Sequence, residues 1–105
     1  MVSKTRKQQL EELLADDPND AFLRYGLAME QASAGDDEGA IRTLRQMIAD
    51  KLDYVPAYQQ VGQILMRLDR LDEARESFRQ GISLAKRVGN AHAAGEMEGF
   101  LDTLG

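Results

Sequence analysis

Residues 55–88, with the sequence VPAYQQVGQILMRLDRLDEARESFRQGISLAKRV, decide the fold. Val61 and Leu65, four residues apart, lie on one side of a helix in the first half of this stretch, and a proline at its second position suits a first helical turn. The second half is rich in residues that favour helices, and the apolar and polar alternation typical of a strand is absent. The stretch therefore predicts two helices joined by a short turn, over about 55–69 and 72–87.

The same helical pattern extends through the rest of the chain. Short breaks rich in Gly, Asp and Pro separate segments rich in Ala, Leu, Glu, Gln, Arg and Met. Further helices are expected over about 4–15, 19–33, 36–50 and 90–104. Because the connections are short, successive helices should be antiparallel neighbours. The sequence thus predicts an all-α protein of six helices.

The chain also repeats itself along its length, with a constant offset between matching positions. At this offset four pairs are identical: Ala40 and Ala74, Arg45 and Arg79, Gln46 and Gln80, and Ile48 and Ile82. Similar residues coincide as well, Leu27 with Val61 and the small Ala28 with Gly62. The predicted repeating unit is a pair of helices that stacks on the next pair.

Residues 55–88 resemble a tetratricopeptide repeat. The pattern of that family is an aromatic residue, then large, small and large apolar residues, then alanine and an aromatic residue on the second helix. The matching residues are Tyr58, Val61, Gly62, Leu65, Ala74 and Phe78. Residues 21–54 fit less closely, because Arg24 replaces the aromatic residue and Gln31 replaces a large apolar residue.

The resemblance implies a right-handed α-α superhelix of antiparallel helix pairs, in a single domain over residues 1–105. Residues 4–15 would be an N-terminal half repeat, 21–54 the first repeat, 55–88 the second repeat and 90–104 a C-terminal capping helix. In this last helix the apolar stripe is expected to be Ala94, Met97, Leu101 and Leu104.

The composition excludes several classes of protein. The 105 residues include 13 basic and 18 acidic side chains, with a net charge of −5, 43% hydrophobic residues and no cysteine. A disulfide scaffold and a disordered chain are therefore excluded. Neither a membrane span nor the apolar core of a signal peptide is present, and basic residues do not cluster as nucleic acid would require. We expect a cytoplasmic protein that binds neither membrane nor nucleic acid.

Residues that could carry chemistry are few. His92 is the only histidine, so we expect it to be solvated or packed rather than catalytic. The acidic clusters at 16–20 and 36–38 flank helix starts, which favours capping over a calcium site. Glycines inside the predicted helices are expected to allow close packing: Gly26, Gly62, Gly81, Gly95 and Gly99. The sequence predicts no enzyme activity, no metal and no cofactor.

The second predicted helix has two apolar sides. Leu23 and Leu27 lie on one, whereas Phe22, Tyr25 and Met29 lie on the other. One side is enough for a core. The second is either covered by the first or last helix of the chain or offered to a partner, because an exposed aromatic patch lowers solubility.

The resemblance implies that first helices line a concave groove, which holds an extended peptide or a partner helix. The residues expected on its wall are Phe22, Tyr25, Met29, Gln59, Gln60, Gln63 and Arg67. Glutamine amides both donate and accept hydrogen bonds, which suits a peptide backbone. The predicted function is a non-catalytic protein–protein interaction module, an adaptor or scaffold. The alternative is a self-associating subunit of a larger assembly, such as a homo-oligomer, with open apolar ends near Leu10, Leu14, Phe100 and Leu101.

Overall fold

The computed structural model describes residues 3–105, which form six α-helices. They are α1 (Arg6–Asp16), α2 (Ala21–Ser33), α3 (Asp37–Ala49), α4 (Val55–Arg67), α5 (Leu71–Arg87) and α6 (Ala91–Leu104). Residues 3–105 contain no β-strand, which confirms the predicted all-α class. None of the described helices combines the length and the apolar character that crossing a membrane requires.

Side-chain caps set where most of the helices begin. At α1, Thr5 Oγ1 accepts the Gln8 backbone N–H at 3.1 Å, and Gln8 Oε1 accepts the Thr5 N–H at 2.9 Å. The carboxylates of Asp20 and Asp36 each accept a backbone N–H three residues later, at 2.9 Å. Asn90 caps α6 in the same way. These bonds confirm the capping role predicted for acidic residues before α2 and α3.

Helices α2 to α5 share one form of ending. Beyond each helix, a backbone N–H bonds back to a carbonyl five residues earlier, as Asp36 does to Gln31 at 2.9 Å. The residue just before that donor has a positive φ: Gly35, Lys51, Asp69 and Gly89. Gly35, with φ at 87°, adopts this backbone without the steric penalty that a Cβ atom brings. Local bonds therefore define both ends of these helices.

The chain divides into two compact units, of which the first ends at Leu52 and the second begins at Asp53. The first unit contains α1 to α3 and the second contains α4 to α6. The offset that pairs Ala40 with Ala74 also carries both ends of α2 onto those of α4 and the start of α3 onto that of α5, which confirms the predicted repeat. The repeat is not exact at the end of its second helix, because α5 has 17 residues whereas α3 has 13. The single-domain organisation stays a prediction.

In the first unit, α1 and α3 cover two sides of α2. Leu10 of α1 is buried beside Gly26 of α2, and Arg6 Nε lies 3.3 Å from Glu30 Oε1. The buried residues of α2 and α3 are Ala28, Gly39, Ala40, Ile41, Leu44 and Met47. Because Leu10 is buried, it does not form the open apolar end that the self-association alternative expects.

In the second unit, glycines allow close approach between helices. A Cβ atom at Gly62 of α4 would lie 2.5 Å from Cζ of Phe78 on α5, and one at Gly81 would lie 2.6 Å from Sδ of Met97 on α6. The ring of Phe78 stacks on that of Phe100, with centroids 5.1 Å apart. These approaches confirm the packing role predicted for Gly62 and Gly81.

No described helix covers the outer side of α6, although the sequence predicts close packing at its glycines. A Cβ atom at Gly95 or Gly99 would meet no atom of the described residues within 4 Å, so the expected close packing there is wrong. The predicted apolar stripe of α6 does face inward, with two buried and two half-buried members: Ala94, Met97, Leu101 and Leu104. Glycine inside a helix thus marks a close approach only when another element lies over it.

Candidate partner-binding faces

Helix α2 presents an apolar face that its own unit leaves open. Gly26 faces α1 and the buried Ala28 lies in the core with α3, and helical periodicity places Phe22 and Met29 between these two covered sides. Phe22 is 68% exposed, whereas Tyr25 and Met29 are half-buried. The alternative that this side packs against the first or last helix is therefore wrong for Phe22, and for Tyr25 and Met29 it stays a prediction.

A second exposed apolar residue lies on α1 at the same end of the unit. The Arg6–Glu30 ion pair and the Leu10–Gly26 contact fix an antiparallel register, which brings Leu13 to the level of the α2 residues 22–23. Leu13 is 53% exposed. We call Leu13 and Phe22 the Leu13–Phe22 patch. The sequence did not indicate this exposure, because helical periodicity does not reveal how much of α1 is covered by α2.

Helix α4 in the second unit has a polar face. Gln59, Gln63 and Arg67 lie on the side opposite Val61 and Leu65, with Gln60 next to them. The three glutamines are half-buried and Arg67 is exposed. The Gln59 amide donates to Glu96 Oε2 at 3.0 Å, a contact between α4 and α6 that the sequence did not reveal. The shared concave groove that the resemblance implies for α2 and α4 stays a prediction.

Asp50 and Tyr58 have pKa values that depart from their ordinary values. The Arg24 guanidinium, which donates to Asp50 at 2.8 Å, holds the pKa of Asp50 below its ordinary value, and a hydrogen bond from Gln46 acts in the same direction. Burial raises the pKa of the Tyr58 phenol, and the Asp53 carboxylate adds to this rise. The partners of Asp50 all lie in the first unit, and those of Tyr58 all lie in the second.

The potential catalytic and metal-binding residues have structural partners. His92 is exposed on α6 and pairs with Glu96 one turn later. Asp20 and Asp36 cap helices, as described above. In the part of the chain that the structure describes, no group of three His, Cys, Asp or Glu side chains is arranged to hold a metal ion. The side chains on the described surfaces can thus make apolar contacts, amide hydrogen bonds and ion pairs with a partner.

The sequence model of the tetratricopeptide repeat matches residues 2–85. The chain belongs to the tetratricopeptide-repeat family. A relative, the TPR repeat-containing protein PA0015 of Pseudomonas aeruginosa, is 32% identical over 95 residues, which cover 90% of each chain. Tetratricopeptide repeats generally mediate protein–protein interactions and are generally not catalytic.

Solved structures confirm the all-α helical repeat fold. A tetratricopeptide repeat domain protein from Salinibacter ruber is similar in its crystal structure, with a TM-score of 0.75, 29% identity and coverage of 81% of this chain and 94% of that one. Its solution structure gives a TM-score of 0.78 at 30% identity, with coverage of 83% and 88%. Protein BPP2914 from Bordetella parapertussis, 24% identical with a TM-score of 0.82, covers 97% of this chain and 89% of its own, and shows the fold alone.

Proposed function

We propose that this tetratricopeptide-repeat chain is a non-catalytic, cytoplasmic adaptor or scaffold that holds a partner peptide or helix against its first helices. The observation that carries the proposal is Phe22, an aromatic side chain that remains 68% exposed on α2. Complete burial of such a side chain contributes about 1.5–3 kcal/mol. Large aromatic residues, Phe included, contribute much of the binding free energy of many protein interfaces.

The faces of α2 and α4 suit different parts of a partner. On α2, Phe22, Tyr25 and Met29 offer apolar anchors for side chains of the bound segment. On α4, the amides of Gln60 and Gln63 can donate and accept hydrogen bonds, as the backbone of an extended peptide requires. We therefore propose apolar contacts for the face of α2 and backbone hydrogen bonds for the face of α4, each taken by itself.

The test compares charge insertion at Phe22 with the same change elsewhere. The immobilised wild-type chain and its Phe22→Glu variant would capture proteins from a native cell extract, and the captured proteins would be quantified by mass spectrometry. Val88→Glu is the matched control, since Val88 is 54% exposed and lies beyond α5 in the second unit. We expect Phe22→Glu to abolish capture of the specific partner and Val88→Glu to leave it intact.

A second variant tests the rest of the α2 face. Tyr25→Glu combined with Met29→Glu should also abolish capture, with the helical circular dichroism signal as the control for folding because both residues are half-buried. Capture that persists in Phe22→Glu and in this double variant, with both folded, would refute the proposed function.

A further inference from the structure

The Leu13–Phe22 patch lies in the most acidic stretch of the chain. Residues 8–23 contain five acidic side chains and no Lys or Arg: Glu11, Glu12, Asp16, Asp17 and Asp20. The nearest basic residues in sequence are Lys7 and Arg24. Arg24 binds Asp50 at 2.8 Å, and its side chain is only 11% exposed. Its charge is therefore directed at α3 rather than at the carboxylates of this stretch.

The five carboxylates differ in their partners. Glu12 pairs with Lys4 at 2.7 Å, and Asp20 caps α2. Glu11, Asp16 and Asp17 are exposed, and within residues 3–105 no cation lies within 4 Å of their carboxylates. Asp16 and Asp17, which follow Leu13 by three and four residues, thus keep negative charges that a partner can contact.

The position of Asp16 and Asp17 strengthens the negative potential. They occupy the last residue and the C-cap of α1, where the helix dipole is negative and cations are favoured. Helix α5 follows the common pattern, with Lys86 and Arg87 in its last turn. A cation brought by a partner to the end of α1 would interact favourably with both carboxylates and the dipole.

We propose that the Leu13–Phe22 patch binds a basic amphipathic peptide segment, in which apolar side chains contact Leu13 and Phe22 and flanking Lys or Arg contacts Asp16 and Asp17. This inference rests on the proposed function and specifies the chemistry of its partner. The apolar contacts supply affinity, and the charge complementarity supplies selectivity and faster association. All the residues involved belong to the first unit.

The test uses two fluorescein-labelled peptides of about 14 residues, or four helical turns. Both carry Leu and Phe at positions i, i+3, i+4 and i+7, and the remaining positions are Lys-rich in one and Glu-rich in the other. We expect fluorescence anisotropy to give a Kd about tenfold lower for the Lys-rich peptide at low salt. This ratio should fall towards one near 1 M NaCl, where the Debye length is about 3 Å.

Variants separate the contribution of the charges from that of the apolar contacts. Asp16→Asn combined with Asp17→Asn should reduce the ratio between the peptides, whereas Phe22→Ser and Leu13→Ser should weaken binding of both. The matched control is Glu98→Gln combined with Asp102→Asn on α6, which removes the same number of charges from exposed positions of the second unit. This control should leave the ratio within about twofold of the wild-type value.

Several outcomes would overturn the inference. The inference is wrong if both peptides bind equally or if the α6 control has an equal effect. It is also wrong if binding of the Lys-rich peptide survives Phe22→Ser and Leu13→Ser. Sedimentation showing a dimer that Phe22→Ser dissociates would assign the patch to a second copy of the chain instead. If capture still depends on Phe22 in those cases, the proposed function stands without this partner chemistry.

Discussion

The two helix pairs, α2–α3 and α4–α5, share every helix boundary except the end of the second helix, but they fill their interiors differently. In the first pair Ala28 and Leu44 are fully buried, and at the equivalent positions of the second pair Gly62 and Phe78 take their places. The larger ring of Phe78 requires the smaller Gly62, because a Cβ atom there would lie 2.5 Å from Cζ of the ring. The same backbone unit therefore accepts different residues if their combined volume fits.

Polar contacts mark the other difference between the pairs. Arg24 and Gln31 stand where the second pair has Tyr58 and Leu65. Arg24 binds Asp50 at 2.8 Å, and Gln31 accepts a hydrogen bond from the Thr43 hydroxyl at 2.7 Å. In the first pair, polar partners thus replace part of the apolar packing that the second pair uses. These polar contacts compensate for the two departures from the family pattern, at Arg24 and at Gln31.

The largest expected effect on stability comes from placing alanine, which the first pair has as Ala28, at the equivalent position Gly62 of the second pair. Gly62→Ala should lower the free energy of unfolding by about 2 kcal/mol, because overpacking against Phe78 outweighs the roughly 1 kcal/mol that alanine adds to helix stability. Urea denaturation followed by circular dichroism measures this change.

The reciprocal replacement sharpens this result. In the Phe78→Leu background, which recreates the Ala–Leu combination of the first pair, Gly62→Ala should raise the free energy of unfolding instead. This comparison is a double-mutant cycle between Gly62 and Phe78. If Gly62→Ala stabilises the protein equally in both backgrounds, volume does not link these two positions.

A smaller effect should distinguish the ends of α2 and α4. The equivalent residues Gly35 and Asp69 both have a positive φ, 87° and 60°. Gly35→Ala should destabilise the protein by about 1 kcal/mol, since a Cβ there meets no described atom and only the backbone is strained. Asp69→Gly should stabilise it by up to about 1 kcal/mol. Thermal unfolding of both variants checks the signs, and equal signs would contradict this account.

The smallest effect concerns the ion pair found in the first helix pair. Since the folded-state pKa of Asp50 is depressed, its contribution to stability is present above about pH 4, the ordinary carboxyl value, and is lost as the pH falls through the folded-state pKa. Arg24→Gln should raise the pKa of Asp50 towards that ordinary value. NMR titration of the Asp50 carboxyl carbon measures it, with the cap residue Asp36 as an internal reference. An unchanged Asp50 midpoint would exclude Arg24 as the cause.

Helix boundaries could be predicted because they depend on nearby residues. Asp36, Gly35 and Asn90 act through bonds that span at most five residues, and a sequence displays such spacing directly. Helix α1 begins at Arg6, two residues after the predicted start, because Thr5 is its N-cap. The open surroundings of Gly95 were not predictable, since they depend on which elements lie over α6.

The binding residues could be predicted only in part. Periodicity identified Phe22 as a member of a second apolar side, yet its exposure depends on how α1 is placed against α2. The exposure of Leu13 depends on the same placement. The Arg24–Asp50 ion pair joins residues 26 positions apart, and no local pattern indicates it. Contacts between distant residues required the structure.

The short turns between paired helices have a kinetic consequence. Three residues, Ala34 to Asp36, connect α2 to α3, and three residues, Leu68 to Arg70, connect α4 to α5. Closing so short a loop carries a small entropic penalty, and helical proteins dominated by local contacts fold within microseconds to milliseconds. Each hairpin can therefore assemble soon after its second helix leaves the ribosome, before its apolar surfaces meet those of other nascent chains.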